Sequence, residues 1–150
     1  MEPQSEVLAQ KEFDQAQREL DAGNVLAALA ALERALVIWD NPHWHSRLGY
    51  CIAKERGQLA RAFQFCQSSI EQDPRNPVHY LYLGKVHQIA ANQYEALQTL
   101  QQGMTHGYLP EIERSLIAMG TRKPPVIPSL SRSNPLNKYL GIALTQIGLR

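Results

Sequence analysis

Histidine and cysteine are the residues of this 150-residue chain whose types could hold a metal or attack a substrate; it has five of the first and two of the second. His43 and His45 flank Trp44, and His79 and His87 follow in the next stretch. A zinc-type centre needs three or four ligands converging on one point. Two positions apart on a helix, His43 and His45 point about 200° away from each other, and no acidic third ligand is read beside them. Cys51 and Cys66 form no CxxC pair and are too few for a disulfide framework. A reactive thiol needs a neighbouring cation or base, and the spacing supplies none. The phosphate-cradling, nucleophile-elbow, dinucleotide and HExxH motifs are all missing. No catalytic residue, metal ligand or cofactor is assigned, and an enzyme is not expected.

Charge is the second source of chemistry. The formal net charge is +1. Residues 1–120 carry 10 Lys/Arg against 14 Asp/Glu, whereas residues 121–150 carry Arg122, Lys123, Arg132, Lys138 and Arg150 and no acid. The chain therefore divides near residue 121 into a helical body and a basic, Pro-containing tail. Phosphate binding draws on several simultaneous contacts. Five spread cations make a weak patch, so specific nucleic-acid binding is not expected. An anionic surface meeting residues 122–138 is a lesser alternative. Pro125-Val126-Ile127-Pro128 has PxxP spacing without the flanks of a recognised ligand. The opposite signs of body and tail favour docking of one on the other.

The elements that would position these groups are helices. Phe13, Ala16 and Leu20 follow the helical period, as do Leu29, Leu32 and Leu36, and Leu83, Val86 and Ala90. Asn41-Pro42 and Asn76-Pro77 read as an N-cap followed by the first helical residue. Gly23 and Gly57 read as turns. The spacing predicts helices over about 5–22, 25–39, 42–56, 59–72, 77–91 and 94–106. A further helix over 110–119 opens with acids in its first turn and carries Ile112, Leu116 and Met119 on one stripe, to cover helix six. Pro124, Pro125 and Pro128 then exclude helix. A terminal helix over 134–148 presents Leu136, Tyr139, Leu140, Ala143 and Ile147 on one side. At about 14 residues it needs something to pack on.

These helices repeat. Asn41-Pro42 and Leu48-Gly49 recur 35 residues later as Asn76-Pro77 and Leu83-Gly84. Ala28, Ala62 and Ala96 stand 34 apart, each opening an Ala-x3-bulky pattern that closes on Leu32, Cys66 and Leu100. Small residues recur three further on, at Ala35, Ser69 and Gly103. The segment Tyr80-x2-Leu83-Gly84-x2-His87…Ala96-x3-Leu100 resembles the tetratricopeptide repeat, as does Leu48-Gly49-x2-Ile52…Ala62-x3-Cys66…Pro74. The first unit is more degenerate, with Ala16 at the small position and Gly23 at the turn. The resemblance covers repeats at about 5–40, 41–75 and 76–108. It implies an all-α superhelix of three helix pairs, closed by the capping helix and a C-terminal helix. Gly84 is expected beside Ala96, where two backbones cross closely.

The resemblance also implies a function. The family lines a concave groove with the first helix of each pair and binds protein segments there. By position the lining is Phe13, Gln17, Leu20, Ser46, Tyr50, Lys54, Leu81, Lys85, Gln88 and Ile89, with an inserted residue in the second repeat disturbing Ala53 and Lys54. Such a surface suits a peptide with an apolar anchor and an acidic group. The carboxylate clamp of some family members falls here on Phe13, Gln17, Arg47, Val78 and Tyr82, of which only Arg47 has the right chemistry. A chaperone-tail clamp is therefore not expected. The expectation is a non-enzymatic scaffold or adaptor, with self-association through the tail helix as the alternative. No apolar run approaches the roughly 18 residues of a membrane span. The opening residues lack the apolar stretch of a secretory signal, so a cytoplasmic location is expected.

Overall fold

Asparagine, proline and glycine set the helix ends. In the computed structural model, which describes residues 2–120, the Asn41 side chain accepts a hydrogen bond from the His43 backbone N–H at 3.0 Å. Asn76 accepts from Val78 N–H, also at 3.0 Å. Each occupies one of the helix-start donors that have no partner within the helix. The following proline loses nothing, because its position needs no N–H.

The described chain is helical, and its contacts divide it into two compact units, Met1–Pro74 and Arg75–Arg150. The first holds α1 (Pro3–Asp21), α2 (Val25–Ile38), α3 (His45–Arg56) and α4 (Leu59–Gln72). The second holds α5 (Pro77–Ile89), α6 (Gln93–Met104) and α7 (Pro110–Ala118). α1 packs along α2, α3 along α4 and α5 along α6, while α2 also meets α3 and α6 meets α7. The short turns within each pair leave room only for antiparallel neighbours. The expected helix beginning at residue 42 opens instead as a 3₁₀ turn, Pro42–Trp44. Its Trp44 N–H bonds back three residues to the Asn41 carbonyl at 2.9 Å, a tightening common at helix starts.

Small side chains set the pairing distance in the first unit. Ala9, Ala16, Ala28, Ala31 and Ala35 have no exposed surface. Trp44 lies on Ala9 and Ala35, with Phe13, Leu36, Ile38 and Trp39 around it. The second unit is filled by Leu81, Leu97, Leu100, Ile112 and Leu116. Each fully buried leucine there stabilises the fold by about 1.5–3 kcal/mol. Ile112 and Leu116 bring α7 onto this cluster and Met119 packs beside them, as the stripe on that helix requires.

Three glycines sit where an added Cβ would come within 3.0 Å of a neighbour. A Cβ at Gly49 would lie 2.7 Å from the Ala62 carbonyl oxygen and 2.9 Å from Cys66 Sγ. At Gly84 it would meet Leu100 at 2.6 Å, so Leu100 supplies the nearest atoms at this crossing. At Gly103 it would lie 2.8 Å from Tyr80 Cβ and 3.0 Å from Ile112 Cδ1, which lets α5, α6 and α7 meet at one point. The terminal helix expected over 134–148, and the rest of the tail, lie outside the described residues.

Candidate functional site

The residues expected to line a groove divide by burial. In the first unit Phe13, Gln17, Leu20 and Tyr50 are half-buried and Lys54 is exposed. Phe13 stacks flat on Trp44, with ring centroids 4.6 Å apart and planes 8° apart. Trp39 meets Trp44 edge-on at 5.3 Å. The Arg47 guanidinium stands 4.9 Å from the Phe13 ring centre, and its Nε donates to Gln17 Oε1 at 2.7 Å. Phe13, Gln17, Trp44 and Arg47 thus form one stack joining α1 to the start of α3. Arg47, the one clamp position with suitable chemistry, is engaged here.

Ser46 is a correction. It is buried, and its backbone N–H donates to Ser69 Oγ at 2.7 Å. The Ser69 hydroxyl donates onward to the Pro42 carbonyl at 2.6 Å. The Cys66 thiol reaches the Ser46 carbonyl at 3.7 Å. A serine on α4 therefore satisfies a donor at the start of α3; Ser46 and Ser69 hold a helix pair together and line nothing. Ala53 is buried as well.

The histidines of this unit have the acidic neighbours that the sequence reading did not supply. His45 Nε2 lies 2.6 Å from Asp40 Oδ1, and its Nδ1 lies 3.1 Å from Ser68 Oγ. With Nε2–H donating to the carboxylate, a neutral ring leaves Nδ1 to accept from the hydroxyl. His43 Nδ1 lies 3.9 Å from Asp73 Oδ2. Burial pushes the Cys66 thiol up to about 12, and burial with the Glu55 charge pushes Cys51 up to about 12. Neither thiol is poised as a nucleophile at neutral pH.

Concave features of the first unit lie elsewhere. α2, α3 and α4 converge on a cleft of about 210 Å³, lined by Glu33, Leu36, Val37, Leu48, Ile52, Arg56, Arg61 and Phe65. Its floor is aliphatic and aromatic. Its rim is charged: Arg56 Nη2 donates to Glu33 at 2.9 Å, and the Arg61 guanidinium stands 5.4 Å from the Phe65 ring centre. Val37 is 87% exposed at the edge of this cleft. Glu33 and Val37 also line a second hollow, with Leu8, Glu12, Arg34 and Ile38 between α1 and α2. The two hollows form one apolar strip along α2. None of the expected groove residues lines either. A signal was present in α2, whose run VLAALAALERALVI is apolar on more than one face. Such a helix has more apolar surface than its own pair can cover.

In the second unit Leu81 is a further correction, since it is buried in the cluster beneath α7. Lys85 is half-buried, and Gln88 and Ile89 are exposed near the end of α5. Of the clamp positions in this unit, Tyr82 is buried and Val78 half-buried. Burial holds His87 below its ordinary value, against the opposing effect of Glu95. Tyr80 stacks on His106 at 5.1 Å. The tail residues Leu136, Tyr139, Leu140, Ala143 and Ile147 lie outside the described residues. No helix among the described residues is long and apolar enough to cross a membrane. Compared with family models, curated proteins and solved structures, the chain matches none.

Proposed function

We propose that this chain is a tetratricopeptide-like, non-enzymatic protein-interaction module that takes an apolar side chain of a partner segment into the cleft between α2, α3 and α4. The observation that carries this reading is the strip itself. An open cleft floored by Leu36, Leu48, Ile52 and Phe65 continues over the exposed Val37. Exposed apolar surface gathered in a concavity is the usual mark of a binding site. Arg61 on the rim, beside an Arg56 already paired with Glu33, favours an acidic residue beside the partner's apolar anchor. The helix pairs and their turns support the family resemblance, and this reading puts the partner on α2, away from the α1 and α3 positions that the resemblance implies.

Selection of a phage-displayed peptide library on the full chain tests it. Enriched peptides are expected to share an aliphatic or aromatic anchor next to Asp or Glu. Val37→Asp and Arg61→Glu are each expected to weaken them about tenfold, close to the 1.4 kcal/mol of a modest contact. Both residues are exposed, so neither change empties a core. Binding that resists both changes but responds to Lys54→Glu would place the site on the α3 side and reject the cleft. Selection without any enriched class would reject the binding function.

A further inference from the structure

The negative excess of the helical body lies in its first helix pair. Residues 1–38 carry seven Asp/Glu against three Lys/Arg, whereas residues 39–120 carry seven against seven. Much of that excess is held by neutral donors. Asp14 accepts from the Gln10 amide at 2.9 Å and Asp21 from the Gln17 amide at 3.0 Å. Glu19 accepts from the Gln15 amide at 2.9 Å and from the Asn24 amide at 3.0 Å. An amide carries no net charge, so these bonds leave the excess in place.

Beside these acids lies an open hollow of about 430 Å³ between α1 and α2. Leu8 and Val37, both exposed, and the half-buried Ile38 give it an apolar wall. Its ions are matched in pairs, Glu12 with Arg34 at 3.0 Å and Glu33 with Arg56 at 2.9 Å. What the hollow offers a partner is therefore apolar surface.

The α1 wall continues at helical spacing. Leu8, Glu12, Gln15 and Glu19 stand at i, i+4, i+7 and i+11, one line along the helix. The Glu12–Arg34 pair places that line on the side of α1 toward α2. It runs from an apolar anchor point to a carboxylate about 16 Å away. Side chains in such a row accept the ridges of another helix, whereas an extended chain alternates its side chains every second residue.

We propose that the α1–α2 face docks a basic amphipathic helix of a partner protein, with an aliphatic side chain in the hollow and a Lys or Arg against Glu19. Charge selects this occupant. A cationic helix is steered toward the acidic pair, and a second copy of the same acidic face is repelled by it. The face is separate from the cleft between α2, α3 and α4. It takes a cation where the cleft takes an acid, and only Glu33 and Val37 border both.

Fluorescence anisotropy on the full chain tests this. The probe is a labelled helix of about 18 residues, built of Leu, Lys and Ala with the leucines on one stripe and the lysines beside them. It is expected to bind at least about tenfold tighter than a scrambled peptide of the same composition, and than a version with Glu for Lys. Leu8→Gln, at an exposed position of α1, is expected to weaken it about fivefold. Glu19→Gln, which keeps an oxygen acceptor for its amide donors, is expected to weaken it about threefold. Arg61→Glu is expected not to weaken it. Equal binding of the scrambled peptide would reduce the face to its charge and overturn the proposal. So would no binding to the full chain, or binding untouched by both α1 substitutions. A dimer of the full chain, seen by light scattering and dissociated by Leu8→Gln, would give the face to a second copy and overturn it too. Peptides selected for the cleft are expected to keep their affinity for the Leu8→Gln chain, so the two readings fail separately. Peptides that lost it would merge the two sites and overturn this one.

Discussion

Gly49→Ala adds one methyl group where α3 lies close against α4. Its carbon would lie 2.7 Å from the Ala62 carbonyl oxygen, 2.9 Å from Cys66 Sγ and 3.4 Å from Phe65 Cβ. Comfortable contact between heavy atoms begins near 3.5 Å, so the first two contacts are short by more than half an ångström. The oxygen belongs to the backbone of α4 and cannot rotate away. α3 and α4 must part, at an overpacking cost of about 1–3 kcal/mol. Replacing a mid-helix glycine with alanine returns about 1 kcal/mol of helix propensity. The net expectation is a loss of about 1–2 kcal/mol, since the rigid obstacle puts the cost toward the upper end. Gly84→Ala is the comparison. Its obstacle is the Leu100 side chain at 2.6 Å, which can shift its rotamer, so the net loss is expected to stay below about 1 kcal/mol. The chain's two tryptophans, Trp39 and Trp44, both lie in the first unit. Their fluorescence in a urea titration therefore reads that unit. With a slope of about 1 kcal/mol per molar, Gly49→Ala should lower the midpoint by about 1–2 M. An unchanged or raised midpoint would refute the close crossing of α3 and α4. A larger effect from Gly84→Ala would refute the distinction between a backbone and a side-chain obstacle.

Three further perturbations have defined outcomes. Ala91 is an exposed, left-handed residue with φ 62; Ala91→Gly relieves about 1–2 kcal/mol of strain against about 0.4–1 kcal/mol of added unfolded-state freedom. Thermal unfolding followed by circular dichroism should show it more stable by several tenths of a kcal/mol or more, and a less stable variant would count against the turn. The folded chain holds His87 below its ordinary value of 6.5, so the unfolded chain takes up the proton more readily. The stability that this neutral ring contributes is complete above pH 6.5 and is lost as pH falls below it. His87→Gln should reduce the drop in melting temperature between pH about 7.5 and about 5.5, and an undiminished drop would discard the burial account. The Cys51 and Cys66 thiols are buried and raised from 9.0 to about 12. At neutral pH, iodoacetamide should label them on the order of a thousandfold more slowly in the folded chain than in urea, and comparable labelling would show that the pairs open.

The parts of the fold legible in the sequence are those written in residues with one conformational use. Asn41-Pro42 and Asn76-Pro77 announce helix starts because a side-chain acceptor and a missing N–H suit those two positions. Gly23 and Gly57 announce turns because a positive φ carries no steric penalty for glycine. Ala91 makes the same turn and announces nothing, since its side chain carries no sign of a left-handed backbone. The burial of Ile112 and Leu116 follows from one apolar stripe on α7. Ser69 was readable only as small. Its bonds to the Ser46 N–H and the Pro42 carbonyl depend on how α4 crosses the start of α3.

The site was harder to read than the helices, for a geometric reason. A helix turns about 100° per residue, so carrying a lining residue over by position demands that the register hold to a fraction of one residue. At Ser46 and Leu81 the side chain sits under a neighbouring helix, α4 in one case and the α6–α7 cluster in the other. A repeat pattern fixes which helices pair and leaves open which residues remain outside once a third helix arrives. The α2 cleft needs three helices at once: Val37 from the first pair, Leu48 and Ile52 from α3, Phe65 from α4. No spacing within one helix encodes that convergence. The sequence does hold one signal of the cleft, the surplus of apolar residues in α2, more than a helix with one buried stripe requires. That surplus leaves Leu26 and Val37 exposed. Substituting Leu26, which lines neither hollow, separates greasiness from shape. If Leu26→Asp leaves the selected peptides bound while Val37→Asp releases them, recognition resides in the cleft. If both release them equally, only general stickiness is being read, and the proposed site fails.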